Sequence, residues 1–317
     1  MFHETLGRRR LYVAAALPFA AAALSACAMV ANAQPLRPME RPQFHADTSL
    51  ILVPVTVTDG RGATIDGLNA DSFTVLDNRQ PQPIKAFFSE DTPASIGIVL
   101  DVSGSTKGVL VQEKAAVRAF LQLSNPEDDF FVATVSSNPR LLADRVVDPD
   151  EIDDRLRWES AGGGTALCDT VYFALHQARM RPKSRRALLV VSDGMDNNSR
   201  YSKRELLREL MESDTTIYTI ALYNPPVGMK GAAITEIQRG LEFMDDLAGN
   251  SGGLSVRLRS HEDPSAAAAK ISAAIRNQYV LGYRSPDSGG SAKWHKIQVK
   301  VNLQKANVYA RSGYQLR

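Results

Sequence analysis

The sequence predicts an α/β protein: a central, mostly parallel sheet with helices on both faces, inserted between two β segments. Three observations carry that expectation. Apolar runs of strand length alternate with helix-length amphipathic runs from about residue 95 to residue 277. Several of those runs are apolar at consecutive positions, the mark of strands covered on both sides. The stretches before and after read as strands with no helix between them.

The elements follow in order. "SLILVPVTVTDGRGATIDGL" gives a strand, a turn at Asp59–Gly60 and a second short segment, and "DSFTVLDNRQPQPIKAFF" gives strand, polar turn around Asn78, strand. The alternating region supplies strands at "IGIVLDV", "DFFVATV", "RALLVVS" and "TTIYTIAL". Helical patterns lie between them at "GVLVQEKAAVRAFLQL", "ALCDTVYFALHQARM", "SKRELLRELMESD", "EIQRGLEFMDDLAGNSGG" and "DPSAAAAKISAAIRNQ". Strands return at "QYVLGYRS", "WHKIQVKVNL" and "NVYARSGYQL", with a Gly/Ser turn over 285–292. Neither β segment can bury an apolar face alone, so residues 48–90 and 278–317 are expected to pair into one sandwich-like domain around the α/β domain of 91–277. Two separate β appendages are the competing arrangement.

Residues 1–33 stand apart. Arg8, Arg9 and Arg10 precede an Ala-rich apolar run, and Ala31 and Ala33 form an A-x-A site, so the stretch reads as a cleaved secretory signal, with a membrane anchor as the competing reading. Within it "LSAC" resembles a lipobox, which would make Cys27 the lipidated residue. Residues 34–47, with three prolines, read as a tether. The expected location is the periplasm, cell envelope or extracellular space, with membrane contact only through a lipid on Cys27. The two cysteines, Cys27 and Cys168, exclude a disulfide framework. A formal net charge of +2, with no basic stripe, gives no reason to expect nucleic acid.

The chemistry gathers at strand ends, where ligands of open α/β sheets sit. "IGIVLDVSGSTKG" ends an apolar strand on Asp101, then presents Ser103 and Ser105. "RALLVVSDG" ends another on Asp193, and "SAGGGTALCD" delivers Thr165 on a glycine run. Two carboxylates and three hydroxyls, with no basic residue among them, suit a small hard cation. Asp169 and Asp196 are candidates for a second shell, although Asp196 and Ser199 also fit local caps. Cys and His clusters are missing, which disfavours zinc.

"DVSGS", "GGGTAL" and "SDG" together resemble the metal-ion-dependent adhesion site of von Willebrand factor A (VWA) domains, and the flanking β segments resemble the secreted bacterial VWFA-related family best known from Acidobacteria. The resemblance implies a Rossmann-like VWA domain. It implies that Ser103, Ser105 and Thr165 ligate a divalent cation, usually Mg²⁺ (or Mn²⁺ or Ca²⁺), with Asp101 and Asp193 acting largely through water. It also implies an open coordination position that accepts an Asp or Glu carboxylate from a protein partner. Thr106, Lys107 and Gly108 follow Ser105 where integrin β chains place acids for a neighbouring calcium, so one metal site is expected.

The function expected is therefore an exported, metal-dependent binding module. A structural envelope protein whose metal fastens loops is the alternative. A metal-dependent hydrolase is a further one, disfavoured because His176, His261 and His295 sit in helix, polar and strand contexts of their own and no G-x-S-x-G elbow is present. No catalysis is expected.

Overall fold

The structure, a computed structural model, describes residues 50–89, 91–224, 231–286 and 293–315. The expected signal with Cys27, the tether and most of the Gly/Ser turn after Ser285 lie outside the described residues. Among the described residues no helix is long and apolar enough to cross a membrane.

The first β segment forms β1 (Leu50–Thr58), β2 (Phe73–Asp77), β3 (Gln80–Gln82) and β4 (Ala86–Phe88). The middle of the chain forms β5 (Ser95–Asp101), α1 (Leu110–Gln122), β6 (Asp129–Val135), β7 (Arg140–Val146), α2 (Pro149–Arg157), α3 (Leu167–Arg179) and β8 (Arg186–Ser192). It continues with α4 (Lys203–Met211), β9 (Thr216–Tyr223), α5 (Ala232–Ser251), β10 (Ser255–Arg259) and α6 (Pro264–Arg276). The last segment gives β11 (Tyr279–Arg284), β12 (Trp294–Val301), β13 (Asn307–Ala310) and β14 (Gly313–Gln315).

The two β segments interleave. One sheet runs β13-β1-β11-β4 and the other β14-β12-β2-β3, all pairs antiparallel, so each sheet needs strands from both ends of the chain. Alternation explains the packing: Val53, Val55 and Val57 of β1 face Val75, Leu281, Tyr283 and Ile297 in one core between the sheets. Asn78 and Arg79 join β2 to β3 at φ 48° and 70°, as a two-residue hairpin turn requires.

The central sheet runs β10-β9-β8-β5-β6-β7, parallel except for β6–β7. Helices α1, α2 and α6 bury Val117, Phe120, Ile152 and Ile271 on one face. Helices α3, α4 and α5 bury Val171, Leu175, Leu206 and Met244 on the other. Every residue of β5 is buried, and a Cβ at Gly97 would fall 2.2 Å from the Phe131 ring. Only glycine lets the neighbouring side chains close over the strand there. Three elements of this domain escape the sequence reading. Strand β7 and strand β10 lie at the sheet edges and are partly exposed, and α2 buries only Ile152 and Leu156.

The sandwich docks on the end of the sheet away from the strand carboxyl ends. Gln278 Nε2 donates to the Tyr218 hydroxyl (3.1 Å), Thr56 Oγ1 to the Ala274 carbonyl (3.3 Å) and the Ser312 amide to the Asn250 carbonyl (3.2 Å). The carboxyl ends of β5 and β8 remain for other uses. Chain direction diverges there, from β5 towards β6 and from β8 towards β9, which makes their boundary the switch point of the sheet.

Candidate metal centre

Strand β5 delivers Asp101 to that switch point with no exposed surface, and the turn that follows folds back over it. The Ser103 amide donates to Asp101 Oδ1 at 2.9 Å. The Ser103 and Ser105 hydroxyls lie 3.0 Å apart, Ser103 buried and Ser105 exposed, so the pair leads from the interior to the solvent. The Thr106 hydroxyl, fully buried, lies 3.2 Å from the Asp101 carbonyl oxygen and 3.1 Å from that of Ser103, holding the turn closed.

Strand β8 brings the second acid. Ser192 donates to Asp101 Oδ2 at 2.6 Å and accepts from the Gly194 amide at 3.0 Å, so one buried hydroxyl ties both strand ends together. Asp193 accepts from the Met195 amide at 2.9 Å. Gly194 sits at φ 77° with its Cα facing the backbone of Gly240 in α5; a Cβ would stand 2.2 Å from the Gly240 oxygen, so this turn admits glycine alone.

The glycine run is stitched to the same turn. The Gly104 amide donates to the Gly163 carbonyl (3.1 Å) and the Gly162 amide to the Val102 carbonyl (2.9 Å). Thr165, two residues on, is 1% exposed; its amide donates to Asn197 Oδ1, and its carbonyl accepts from the Asn197 and Asn198 amides. All three loops carrying the five expected ligands are thus laced to one another: Asp101, Ser103, Ser105 and Asp193 by direct coupling, and Thr165 through the backbone of its loop.

The electrostatics are those of an acid cluster. Burial pushes Asp101 up to about 6 from an ordinary carboxylate value of 3.8, against the Ser103 and Ser192 hydroxyls, and the Asp193 charge adds to the rise. Burial also raises Asp193, opposed by the Met195 amide and the Ser105 hydroxyl. Hard oxygen donors, a deficit of positive charge and a polar rim reaching solvent fit a divalent cation. Ser103, Ser105 and Thr165 would hold it with Asp101 and Asp193, and the ion would supply an electrophilic position for an anionic group. Among the described residues no group of three or more His, Cys, Asp or Glu side chains could hold a metal ion, which leaves the hydroxyls as necessary partners.

Asp169 and Asp196 have partners of their own. Asp169 is 5% exposed, but its carboxylate is already occupied: Oδ1 accepts from the Arg200 and Tyr201 amides, each at 2.9 Å, and Oδ2 faces Arg200 Nε at 3.3 Å. It fastens the segment after the site. Asp196 accepts from the Cys168 amide (2.7 Å) and the Ser199 hydroxyl (2.7 Å), satisfying a free amide at the start of α3. It is a cap, and it adds to the burial that raises the Cys168 thiol.

Three contributors went unread in the sequence: Ser192, Thr106 and Glu113. Glu113 is the one with a legible signal. It falls on the stripe Leu110–Glu113–Val117–Phe120 of α1, where helical spacing demands an apolar residue, and it has no exposed surface.

Residues 96–195 match the family model described as von Willebrand factor type A domain. No curated protein matches the chain. Among solved structures, an aerotolerance-related membrane protein from Bacteroides fragilis NCTC 9343 is similar at 15% identity and a TM-score of 0.48, over 58% of this chain and 98% of that one. A von Willebrand factor type A protein from Catenulispora acidiphila is similar at 11% identity and TM-score 0.46, over 85% of this chain and 74% of that one. Proximal thread matrix protein 1 from the mussel byssus, described with a zinc-occupied MIDAS motif, is similar at 14% identity and TM-score 0.44, over 63% of this chain and 49% of that one. The matched residues run from β5 to the end of β8 and include the turn of Asp101, Ser103 and Ser105 at the switch point, and the six-stranded sheet between two helical layers is the fold of a von Willebrand factor type A domain.

Proposed function

We propose that this domain is a metal-dependent protein-binding module, exported to the cell envelope or beyond, that engages an Asp or Glu side chain of a partner through a divalent cation. One observation carries the reading. The Ser103–Ser105 hydroxyl pair spans from a buried acid to an exposed rim, and among the described residues the two carboxylates behind it have hydroxyls and amides, but no basic side chain, as partners. Neutral donors at the front and acids at the back neutralise a dication only in part. Mg²⁺ suits this set best, with Mn²⁺ and Ca²⁺ as alternatives, because all three prefer oxygen ligands and keep exchangeable positions. The domain performs no catalysis in this reading, and the β-sandwich serves as a mount that leaves the rim free.

The test uses the purified protein with Mg²⁺, Mn²⁺, Ca²⁺ and Zn²⁺ in turn, and partner capture from envelope extracts with and without chelator. Calorimetry is expected to show one site per chain, lost in Asp101→Ala, and the captured partner is expected to leave on chelation and to lose binding when its key acid is made an amide. Metal binding that persists in Asp101→Ala sinks the site. Capture indifferent to chelator sinks the adhesive role and leaves a metal that only fastens loops.

A further inference from the structure

Beneath the hydroxyl turn lies a carboxyl group that the reading above leaves without a task. Glu113 stands in the first turn of α1 with no exposed surface, and neither carboxyl oxygen has a hydrogen-bond partner among the described residues. A buried polar group left unsatisfied is costly, and leucine or methionine would suit the apolar stripe on which it sits. Burial first, and after it the charges of Asp101 and Asp193, raise Glu113 well above the usual carboxylate range, with the nearby Thr106 hydroxyl opposing. That same hydroxyl bridges to the Asp101 and Ser103 carbonyls, which places Glu113 against the inner side of the 101–106 turn. The three acids thus act on one another by their charge, and among the described residues no lysine or arginine is hydrogen-bonded or ion-paired to any of them. The arrangement is unfavourable as it stands and becomes favourable once a cation is added.

Resting on the cation site proposed above, we propose that Glu113 is a third acid of that site: a positioning residue that holds the cation by its charge, across the 101–106 turn, without ligating it. Among the described residues no three acidic, His or Cys side chains form a group that could hold a metal ion, so the three carboxyls do not ligate one ion together. A charge acting at a distance has a signature that a packing role lacks. The attraction scales with the charge of the ion while the cost of releasing the Glu113 proton does not, so its loss must hurt a trivalent ion by at least half as much again, on a logarithmic scale, as a divalent one.

The experiment titrates the full chain and its Glu113→Gln variant with Mn²⁺ and with La³⁺ by calorimetry. Removal of an outer-shell group of this kind costs about 10- to 100-fold in metal affinity. A tenfold loss for Mn²⁺ is then accompanied by a loss of about thirtyfold or more for La³⁺. Unchanged affinity, or the same fold-loss for both ions, overturns the proposal. Glu113→Asp guards against misfolding effects: it restores the charge with one methylene fewer and is expected to recover most of the lost affinity, whereas a packing role predicts that it fares no better than Gln. Asp101→Ala separates the two readings. If it binds Mn²⁺ as tightly as the unaltered chain, the site itself is wrong. If it abolishes binding while Glu113→Gln changes nothing, only the role of Glu113 fails.

Discussion

Two buried acid clusters occupy opposite regions of this molecule and solve the same problem in opposite ways. In the β-sandwich, Asp77 is fully buried and accepts from the Tyr283 hydroxyl (2.8 Å), the Tyr314 hydroxyl (2.8 Å) and His295 Nδ1 (2.9 Å). Its partners come from β11, β12 and β14, more than 200 residues away in sequence, so the cluster clasps the two ends of the chain together. At the switch point, Asp101 and Glu113 are fully buried and Asp193 partly so, but they meet hydroxyls, a few amides and one another's charge. The first cluster is complete in protein atoms. The second is short of positive charge, and that shortage is what marks it as a site.

The largest effect separates the clusters by sign. Asp77→Ala leaves two tyrosine hydroxyls and an imidazole buried around a void, and it is expected to lower stability to urea by about 3–4 kcal/mol. Asp101→Asn in chelator is expected to raise stability or leave it unchanged, because it removes a carboxyl that burial and Asp193 disfavour. Equal destabilisation by both variants breaks the comparison, since it would make the Asp101 cluster as self-sufficient as the other.

The pH dependence sharpens it. Asp101 titrates near 6 in the folded protein, above its ordinary 3.8, so the folded state holds this proton more tightly than the unfolded chain does. Its favourable contribution is complete below about pH 4 and is lost as pH rises through 6, amounting to about 3 kcal/mol. Asp193 and Glu113 shift in the same direction and steepen the loss. Metal-free protein is therefore expected to lose stability between pH 4 and 7, while saturating Mg²⁺, at 100 times its dissociation constant, restores about 2.7 kcal/mol at pH 7. Urea midpoints at several pH values, with chelator and with Mg²⁺, measure both terms. In the same window Asp77 has its donors already and gives no reason for a metal-dependent term.

The comparison also explains what the sequence discloses and what it withholds. Asp101, Ser103, Ser105 and Asp193 are legible because the chain writes each at the end of an apolar run, where the parallel sheet has its ligand-binding edge. Strands such as β5 and β8 announce themselves because both faces are covered. Edge strands β7 and β10 do not, since half their side chains meet water and the pattern dissolves. The interleaving of the two β segments can be argued from the need to bury a face, but the Asp77 clasp cannot: Asp77, Tyr283, His295 and Tyr314 are four ordinary strand residues until the register brings them together. Asp169 shows the converse error. Four residues after Thr165 it has helical spacing towards the rim, yet the amides of Arg200 and Tyr201 claim it, and those partners come from a loop whose path no spacing rule supplies.

Asp169 gives the smallest prediction and shows on which side of the comparison a third buried acid falls. Its oxygens are filled by two backbone amides and an arginine, so it belongs with Asp77 and should behave as a fastening. The arginine is the dispensable part. Arg200 is 83% exposed, its Nε stands 3.3 Å from the carboxylate, and water screens the pair, so Arg200→Ala is expected to cost less than about 0.5 kcal/mol. The backbone amides are the greater part, and Asp169→Ala, which leaves both without their acceptor beside α3, is expected to cost about 1–2 kcal/mol. Neither variant is expected to move Mn²⁺ affinity beyond about twofold, because Asp169 Oδ1 is held by the 200–201 backbone and Oδ2 faces Arg200. An affinity loss of tenfold in Asp169→Ala, with the stability loss confined to 1 kcal/mol, would return this residue to the metal's second shell and show that an acid can serve a fastening and a cation at once.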